Sequence, residues 1–349
     1  MIVKDEGKVI ERCLSSLKSL LSFWVIVDTG SSDGTRDLIR KSLEGVDGEL
    51  FERPWVNFEH NRNEALLLAR GKAEYILFID ADETLEISPD FSSASLDQDG
   101  YKLRLIERNL TDVYRMSLVK DDPCWFWKGV IHEALYSCRP VSVAVLETLT
   151  KHSYAEDGAR TRDPKKFEKD AKILEEALKS EPNNSRYTFY LAQSYGNAGE
   201  YEKSLHWYKR RTEMGADPEE VFWSFYCLGM IHQHIRSDPE KWIDDYTSAH
   251  LANPSRAEPL FQLARYFYDQ GQPLLAYAFG KEAALLPKPQ CAMYIHAWVY
   301  DYAASFVLAQ AAEDLGLREE ALKLYQTLFE REIPQDMKEW IVIAKARLS

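Results

Sequence analysis

No apolar run in the sequence approaches the ~18 residues that a membrane-spanning helix needs. Met1 leads straight into charged residues rather than into the apolar segment of a signal peptide. Basic residues are the minority: 43 Lys and Arg stand against 56 Asp and Glu, a formal net charge of −13. That balance excludes a broad electrostatic footprint for nucleic acid, though not a local phosphate-binding surface. Cysteine is scarce and lies in no metal or redox pattern. Cys13, Cys124, Cys138, Cys227 and Cys291 are widely spaced, with no C-x-x-C among them. Neither a disulfide framework nor a zinc knuckle fits, and reduced thiols in a cytoplasmic protein are expected. A G-x-S-x-G elbow, a Walker loop and a G-x-G-x-x-G fingerprint are all missing. What remains is 349 residues of globular composition, 45% hydrophobic, enough for two domains of roughly 150 residues each.

Two textures divide the chain. In the first, short apolar runs alternate with helical stretches. Trp24-Val25-Ile26-Val27 and Tyr75-Ile76-Leu77-Phe78-Ile79 have strand length, and each ends in an aspartate, Asp28 or Asp80. Such continuous runs predict a mostly parallel sheet buried on both faces. Val9 to Leu21 reads as a helix through Ile10, Leu14, Leu17 and Leu21. A second helix follows the capping run Ser31-Ser32-Asp33-Gly34-Thr35, and a third contains Arg62 to Ala69. Ligands of open α/β sheets lie beyond the carboxyl ends of the strands, so both aspartates are expected in one site.

After about Arg160 the strand pattern stops. Leu191-Ala192, Leu228-Gly229 and Leu263-Ala264 recur at spacings of 37 and 35 residues, and Pro182, Pro218 and Pro254 at 36. Gly199, Gly271 and Gly316 mark helix–helix turns, and the second helices carry Leu205 with Tyr208, Ala276 with Phe279, and Leu322 with Tyr325. This register resembles the tetratricopeptide repeat, an antiparallel helix pair of about 34 residues, with a stretched spacing at the Pro287–Gln290 interruption. Trp207, Tyr208, Trp223, Tyr226, Trp242 and Tyr246 fall at helical spacing and are expected to pack the repeats. The expected division is 1–158 for an α/β domain and 159–349 for an all-α repeat domain.

The strongest chemical motif is Phe78-Ile79-Asp80-Ala81-Asp82-Glu83. Two carboxylates at i and i+2 after a buried strand can share a hard divalent cation, Mn²⁺ or Mg²⁺, which would bridge a diphosphate. It stands in ordered company: Ile2-Val3-Lys4-Asp5-Glu6, then Val25 to Thr35, then Trp55-x-x-Phe58-x-x-x-Arg62-Asn63. This order resembles family 2 glycosyltransferases of the GT-A fold over residues 1 to about 155. Both halves together resemble the bacterial subgroup that fuses this domain to tetratricopeptide repeats. Peptide S-glycosyltransferases of the sublancin type belong to it, and lipopolysaccharide-core glucosyltransferases are close.

The resemblance implies a metal-dependent, inverting transfer from a nucleotide-sugar donor, UDP-linked, to a protein, peptide or glycan acceptor. It places Ile2, Val3, Lys4 and Glu6 along the nucleoside, with Asp28 or Thr29 at the base and Arg62 at the base or diphosphate. Asp80 and Ala81 would line the donor, Asp82 would ligate the metal, and Glu83 would cap the next turn or support the metal. His152 is a further expected metal ligand. Many relatives carry an aspartate where this chain has Thr29, and residues before the equivalent of Met1. The latter implies an abbreviated pocket edge or a start further upstream. Trp127-Lys128-Gly129-Val130-Ile131-His132-Glu133 matches a Gly-x-x-His-Glu sequence of the subgroup. It offers Glu133 as the general base, with His132 as the alternative. Trp125, Phe126 and Trp127 suggest an apolar surrounding that raises the Glu133 pKa. Arg104, Arg115 and Lys120 are not separable from ordinary surface charge. The competing expectation is a catalytically retired nucleotide-binding scaffold acting through its repeats. No stable membrane insertion is expected, and homo-oligomerisation through the repeats is open.

Overall fold

The computed structural model describes residues 1–107, 111–215, 217–289 and 293–348. Cys291 and Gln290, the end of the expected interruption, lie outside them. Cys13, Cys124, Cys138 and Cys227 are free thiols. The chain forms two compact units, Met1–Ala198 and Gly199–Ser349.

The first unit opens with a parallel three-stranded sheet, β1 (Ile2–Val3), β2 (Trp24–Asp28) and β3 (Gly48–Glu52), in that spatial order. Val3 pairs with Asp28, and Asp28 with Glu52. Parallel strands need crossovers, and α1 (Ile10–Leu17) and α2 (Thr35–Ser42) supply them. The apolar stripe read from the sequence is buried: Ile10, Leu14 and Leu17 join Val3, Ile26 and Ile39 or the neighbouring cluster around Leu103. Helix α1 ends at Leu17, earlier than Leu21, where a tightened Leu20 N–H to Leu17 C=O turn redirects the chain toward β2. Asp33 caps α2 by accepting from the Thr35 N–H and Oγ1, and left-handed Gly34 (φ +86°) completes the turn.

α3 (Phe58–Ala69) starts at Asn57, whose side chain accepts from the His60 N–H. Then β4 (Tyr75–Leu77), β5 (Glu83–Ile87), β6 (Gly100–Glu107), β7 (Thr111–Lys120) and β10 (Val143–Ser153) build a second sheet with the path β4-β7-β6-β10-β5. Among the pairs described for it, β6–β10 is parallel and β5–β10, β4–β7 and β6–β7 are antiparallel, so the parallel character read from the apolar runs is concentrated in β1–β3. Strand β4 stops at Leu77, short of Ile79, because Asp80 and Glu83 close a turn there. A hairpin, β8 (Trp125–Lys128) with β9 (Ala134–Ser137), carries the loop 129–133 at its tip.

Two helices, α4 (Lys166–Ser180) and α5 (Ser185–Asn197), complete this unit. Compactness therefore divides the chain after Ala198, later than the 158/159 boundary expected from texture. The strand pattern ends at one place and the packing at another, because α4 and α5 pack with the strand-bearing part.

The second unit contains α6 (Tyr201–Glu213), α7 (Pro218–His234), α8 (Pro239–Ala252), α9 (Glu258–Asp269) and α10 (Pro273–Leu285). They are followed by α11 (Ala304–Asp314), α12 (Arg318–Phe329) and α13 (Gln335–Leu348). Its core follows the expected register: Leu228, Leu263, Ala264, Ala276 and Tyr325 are buried, as are Tyr208, Trp223, Tyr226, Trp242 and Tyr246. Gly271 and Gly316 end helices in the left-handed region, as expected of the turn positions. Two buried arginines are saturated. Arg211 donates to Glu220 and to the Gly215 and Asp217 carbonyls; Arg256 donates to Glu219, Glu258 and the Tyr294 carbonyl.

Candidate active site

The site is assembled at the ends of β1, β2 and β4 and along one face of α3. Asp28 closes β2, and its Oδ1 accepts from the Gly30 and Ser31 N–H groups at 3.0 and 2.9 Å. Its Oδ2 is buried and has no hydrogen-bond partner. Such an acceptor is costly to leave unmade and marks a place for a donor group. Thr29 sits beside it but is used internally, since its N–H and Oγ1 both donate to the Val3 carbonyl at 2.9 and 3.0 Å. Val3 is buried beneath, and Lys4 is exposed. The next loop is laced to the β2 exit: Asp5, itself left-handed at φ +54°, accepts from the Ser32 N–H, and Gly7 donates to Asp33.

Asp80, Asp82 and Glu83 occupy the turn after β4. Glu83 is buried, and its Oε2 accepts from the Asp80 N–H at 3.1 Å and from Lys151 Nζ at 2.8 Å. It thus braces the turn. Ala81 is buried in the core under β1. Burial pushes the Asp80 carboxyl up, but Arg62, with Lys151 and Arg115 behind it, holds it below the ordinary aspartate range. Asp82 is the opposite case. Burial, then the charges of Asp80, Glu83 and Glu6, raise its pKa to about 7. Glu6 is therefore within electrostatic reach of the D-x-D, and its Oε2 also accepts from the Ala159 N–H. Tyr154 N–H donates to the Asp82 carbonyl, and a Cβ on Gly158 would lie 2.7 Å from Asp82 Oδ2.

Helix α3 presents Glu59, Arg62 and Asn63 on one face, as i, i+3 and i+4 spacing requires. Asn63 exchanges two bonds with the Trp127 backbone, each 2.8 Å, and Glu59 accepts from the Gly129 N–H at 2.7 Å. Arg62 donates through Nη2 to Asp80 at 2.8 Å and through Nε to Glu133, with its guanidinium over the Trp127 ring. The two carboxylates, from the D-x-D and from the Gly-x-x-His-Glu loop, thus meet on one guanidinium. The apolar surrounding expected for Glu133 is not what it has. Trp125 and Trp127 are buried, but Arg62 faces the carboxylate.

His132 adopts a left-handed backbone at φ +51°. Burial, reinforced by Arg160, Arg186, Arg115 and Lys166, pushes its pKa down to about 3, so the imidazole is neutral. Behind the same loop, Trp55, Val56, Phe58, Val130, Ile131 and Ile173 line a groove of about 820 Å³ whose rim includes Lys172 and Lys179.

His152 is engaged by Glu86: it pairs with Thr84 across β10 and β5, and its Nε2 lies 2.8 Å from Glu86 Oε2. Its neighbour Lys151 points the other way, to Glu83. Among the described residues no cluster of three or more His, Cys, Asp or Glu side chains could hold a metal ion. The donor set that fits a cation is therefore small: Asp82, whose raised pKa a cation would relieve, backed by Asp80. Mg²⁺ and Mn²⁺ commonly bind through one or two carboxylates plus substrate phosphates. Asn63 stood in the Trp55–Asn63 motif without a role of its own, and Lys151, Glu59, Arg160, Arg186 and Tyr190 were not singled out in the sequence; helical spacing about Arg62 could have signalled Glu59.

Residues 1–91 match the glycosyl transferase family 2 model. A TPR repeat-containing protein of Synechococcus elongatus is 26% identical over 306 residues, covering 81% of this chain and 73% of that protein. The SPbeta prophage-derived glycosyltransferase SunS of Bacillus subtilis is 23% identical over 223 residues, covering 60% of this chain. The chain spans only 51% of the length of SunS. Among solved structures, YrrB, a TPR protein, is 16% identical with a TM-score of 0.39 over 51% of this chain and 84% of that one. MamA is 18% identical with a TM-score of 0.37 over 54% of this chain and 95% of that one. No helix among the described residues is long and apolar enough to cross a membrane. The family 2 glycosyl transferase match thus falls on the strand-bearing N-terminal part of the chain, and a run of successive helices follows it.

Proposed function

We propose that the protein transfers a sugar, with inversion, from a UDP-linked donor to a hydroxyl or thiol of a peptide, protein or glycan acceptor. The single observation that carries this reading is the double ion pair of Arg62 with Asp80 and Glu133. It makes one site of the donor carboxylates and the candidate base.

In this scheme the buried Asp28 Oδ2 accepts from the imide N–H of the base, and the β1 exit from Val3 to Glu6 lines the nucleoside. Asp82, with Asp80, would hold Mn²⁺ or Mg²⁺, which supplies charge neutralisation for the departing diphosphate. Glu133 takes the proton of the attacking hydroxyl or thiol; the acceptor forms its bond to C1 as the C1–oxygen bond to the diphosphate breaks. Neutral His132 is beside it and is the alternative proton acceptor. The groove behind Val130 and Ile131 supports an acceptor with an apolar portion. The helical region offers further surface for a polypeptide acceptor or for a second copy of the chain.

Isothermal titration with UDP, with and without Mn²⁺, on wild type and Asp82→Ala tests the donor half. Mn²⁺-dependent binding that disappears in the variant is expected. Equal weak binding in all four conditions would overturn the assignment of donor and metal.

A further inference from the structure

The loop that carries Glu133 is held from two sides, and only one of them is the glycosyltransferase helix α3. The other is α5, which the sequence pattern assigns to the repeats. Resting on the reading of Glu133 or His132 as proton acceptor, we infer that Arg186 and Tyr190 are positioning residues for the transfer step. Through them the first helix pair belongs to the catalytic centre rather than to an interaction module.

The geometry is specific. The His132 carbonyl accepts both Nε and Nη2 of Arg186, at 3.2 and 2.9 Å. The His132 ring lies parallel to the Tyr190 ring, 5° off plane with centroids 4.1 Å apart. Arg186 Nη2 also donates to Tyr190 Oη at 3.3 Å, which locks the two residues to each other. One turn of the same helix contributes Tyr187, whose Oη accepts from the Val130 N–H at 3.4 Å. Tyr187 and Tyr190 are buried.

What these contacts hold is a backbone that does not hold itself. A left-handed conformation at a non-glycine residue is sparsely populated and persists only where its surroundings over-determine it. His132 at φ +51° is such a residue, and it immediately precedes Glu133. If the peptide between them rotates, the Glu133 Cβ moves with it, and Arg62 then has to follow or release Asp80. Arg186 fixes the carbonyl of that peptide and Tyr190 fixes the ring beside it. A displacement of about 1 Å at a reacting group is enough to cost up to 10²-fold in rate. None of these contacts involves the donor residues Asp28, Asp80 or Asp82, so the effect belongs on turnover rather than on nucleotide affinity.

The test uses the full chain, with UDP release from UDP-glucose and UDP-N-acetylglucosamine as the readout, and four α5 variants: Arg186→Ala, Arg186→Lys, Tyr190→Ala and Tyr190→Phe. Arg186→Ala and Tyr190→Ala are expected to lower kcat about 10- to 100-fold with donor KM and Mn²⁺–UDP affinity within twofold of wild type. Tyr190→Phe keeps the ring stack and should restore most of kcat, and Arg186→Lys, with one donor where two were used, should fall between. Thermal melts of each variant separate folding from placement. If kcat stays within twofold in Arg186→Ala while Glu133→Gln is inactive, this inference is overturned and the proposed function stands. If kcat, UDP affinity and melting temperature fall together, α5 is only structural and the inference is again overturned. Turnover that survives Glu133→Gln and His132→Gln alike overturns the reading of the base, and this inference with it.

Discussion

Each unit of the molecule contains an arginine clasped by two carboxylates, and the two clasps have opposite characters. In the second unit Arg256 is completely buried between Glu219 and Glu258. The Tyr294 carbonyl takes a further N–H, and Tyr300 donates to Glu258. In the first unit Arg62 is held by Asp80 and Glu133, but the surroundings do not close. Asp82 is pushed up to about 7, and Asp28 Oδ2 has no hydrogen-bond partner. A buried ion pair by itself therefore says nothing about function. What distinguishes the first clasp is the negative charge left over around it, which a proton on Asp82 or a bound cation can balance.

Breaking the clasps separates these roles. Glu133→Gln should lower kcat by about 10²- to 10⁴-fold, the range of a lost general base, with little change in Mn²⁺–UDP affinity, measured by UDP release and titration. Arg256→Leu strands the fully buried Glu258 carboxylate and should cost about 3–5 kcal/mol of stability, read by chemical denaturation, without altering nucleotide affinity.

Asp82→Asn sharpens the comparison through pH. The folded carboxyl titrates near 7 against an ordinary 3.8, so the folded state binds the extra proton between those values. Stability contributed by the protonated form is present below about pH 4 and is lost as pH rises through 7. Removing the charge should accordingly raise stability at pH 8 by about 1–3 kcal/mol and change little at pH 4. Mn²⁺ should raise the melting temperature of wild type only. His132 runs the other way: its folded pKa is about 3 against 6.5, so the unfolded chain binds more protons between them. Stability falls as pH drops from 6.5 toward 3, and His132→Gln should flatten that limb by about 1–2 kcal/mol after allowance for solvent access. The smallest effect is expected in the groove, where Trp55→Ala should raise acceptor KM a few-fold and leave donor KM unchanged.

The sequence was legible where one local pattern decides the outcome. The apolar run ending at Asp28 predicts a buried parallel strand, Ser31 to Thr35 predicts a capped helix start, and Leu263-Ala264 with Ala276 predicts a close helix pair. All three are observed. It was not legible where long-range pairing decides. His152 and Lys151 are adjacent and equally polar in the sequence, and only the register of β10 against β5 sends the lysine, not the histidine, toward Glu83. Likewise nothing local says that Arg62 on α3 will meet Glu133, 71 positions away, or that Arg186 on a repeat-like helix will reach the His132 carbonyl. The boundary at 158 was drawn where composition changes, and composition does not report which side of the cut a helix packs on.

Gly158 gives that boundary a further meaning. A single methyl there would stand 2.7 Å from Asp82 Oδ2, closer than non-bonded carbon and oxygen tolerate. The clearance beside the carboxylate is therefore set by one missing carbon atom. The stretch of chain that looks like a passive joint between two textures is thus where the backbone comes closest to the Asp82 carboxylate, and only a residue without a side chain permits that approach.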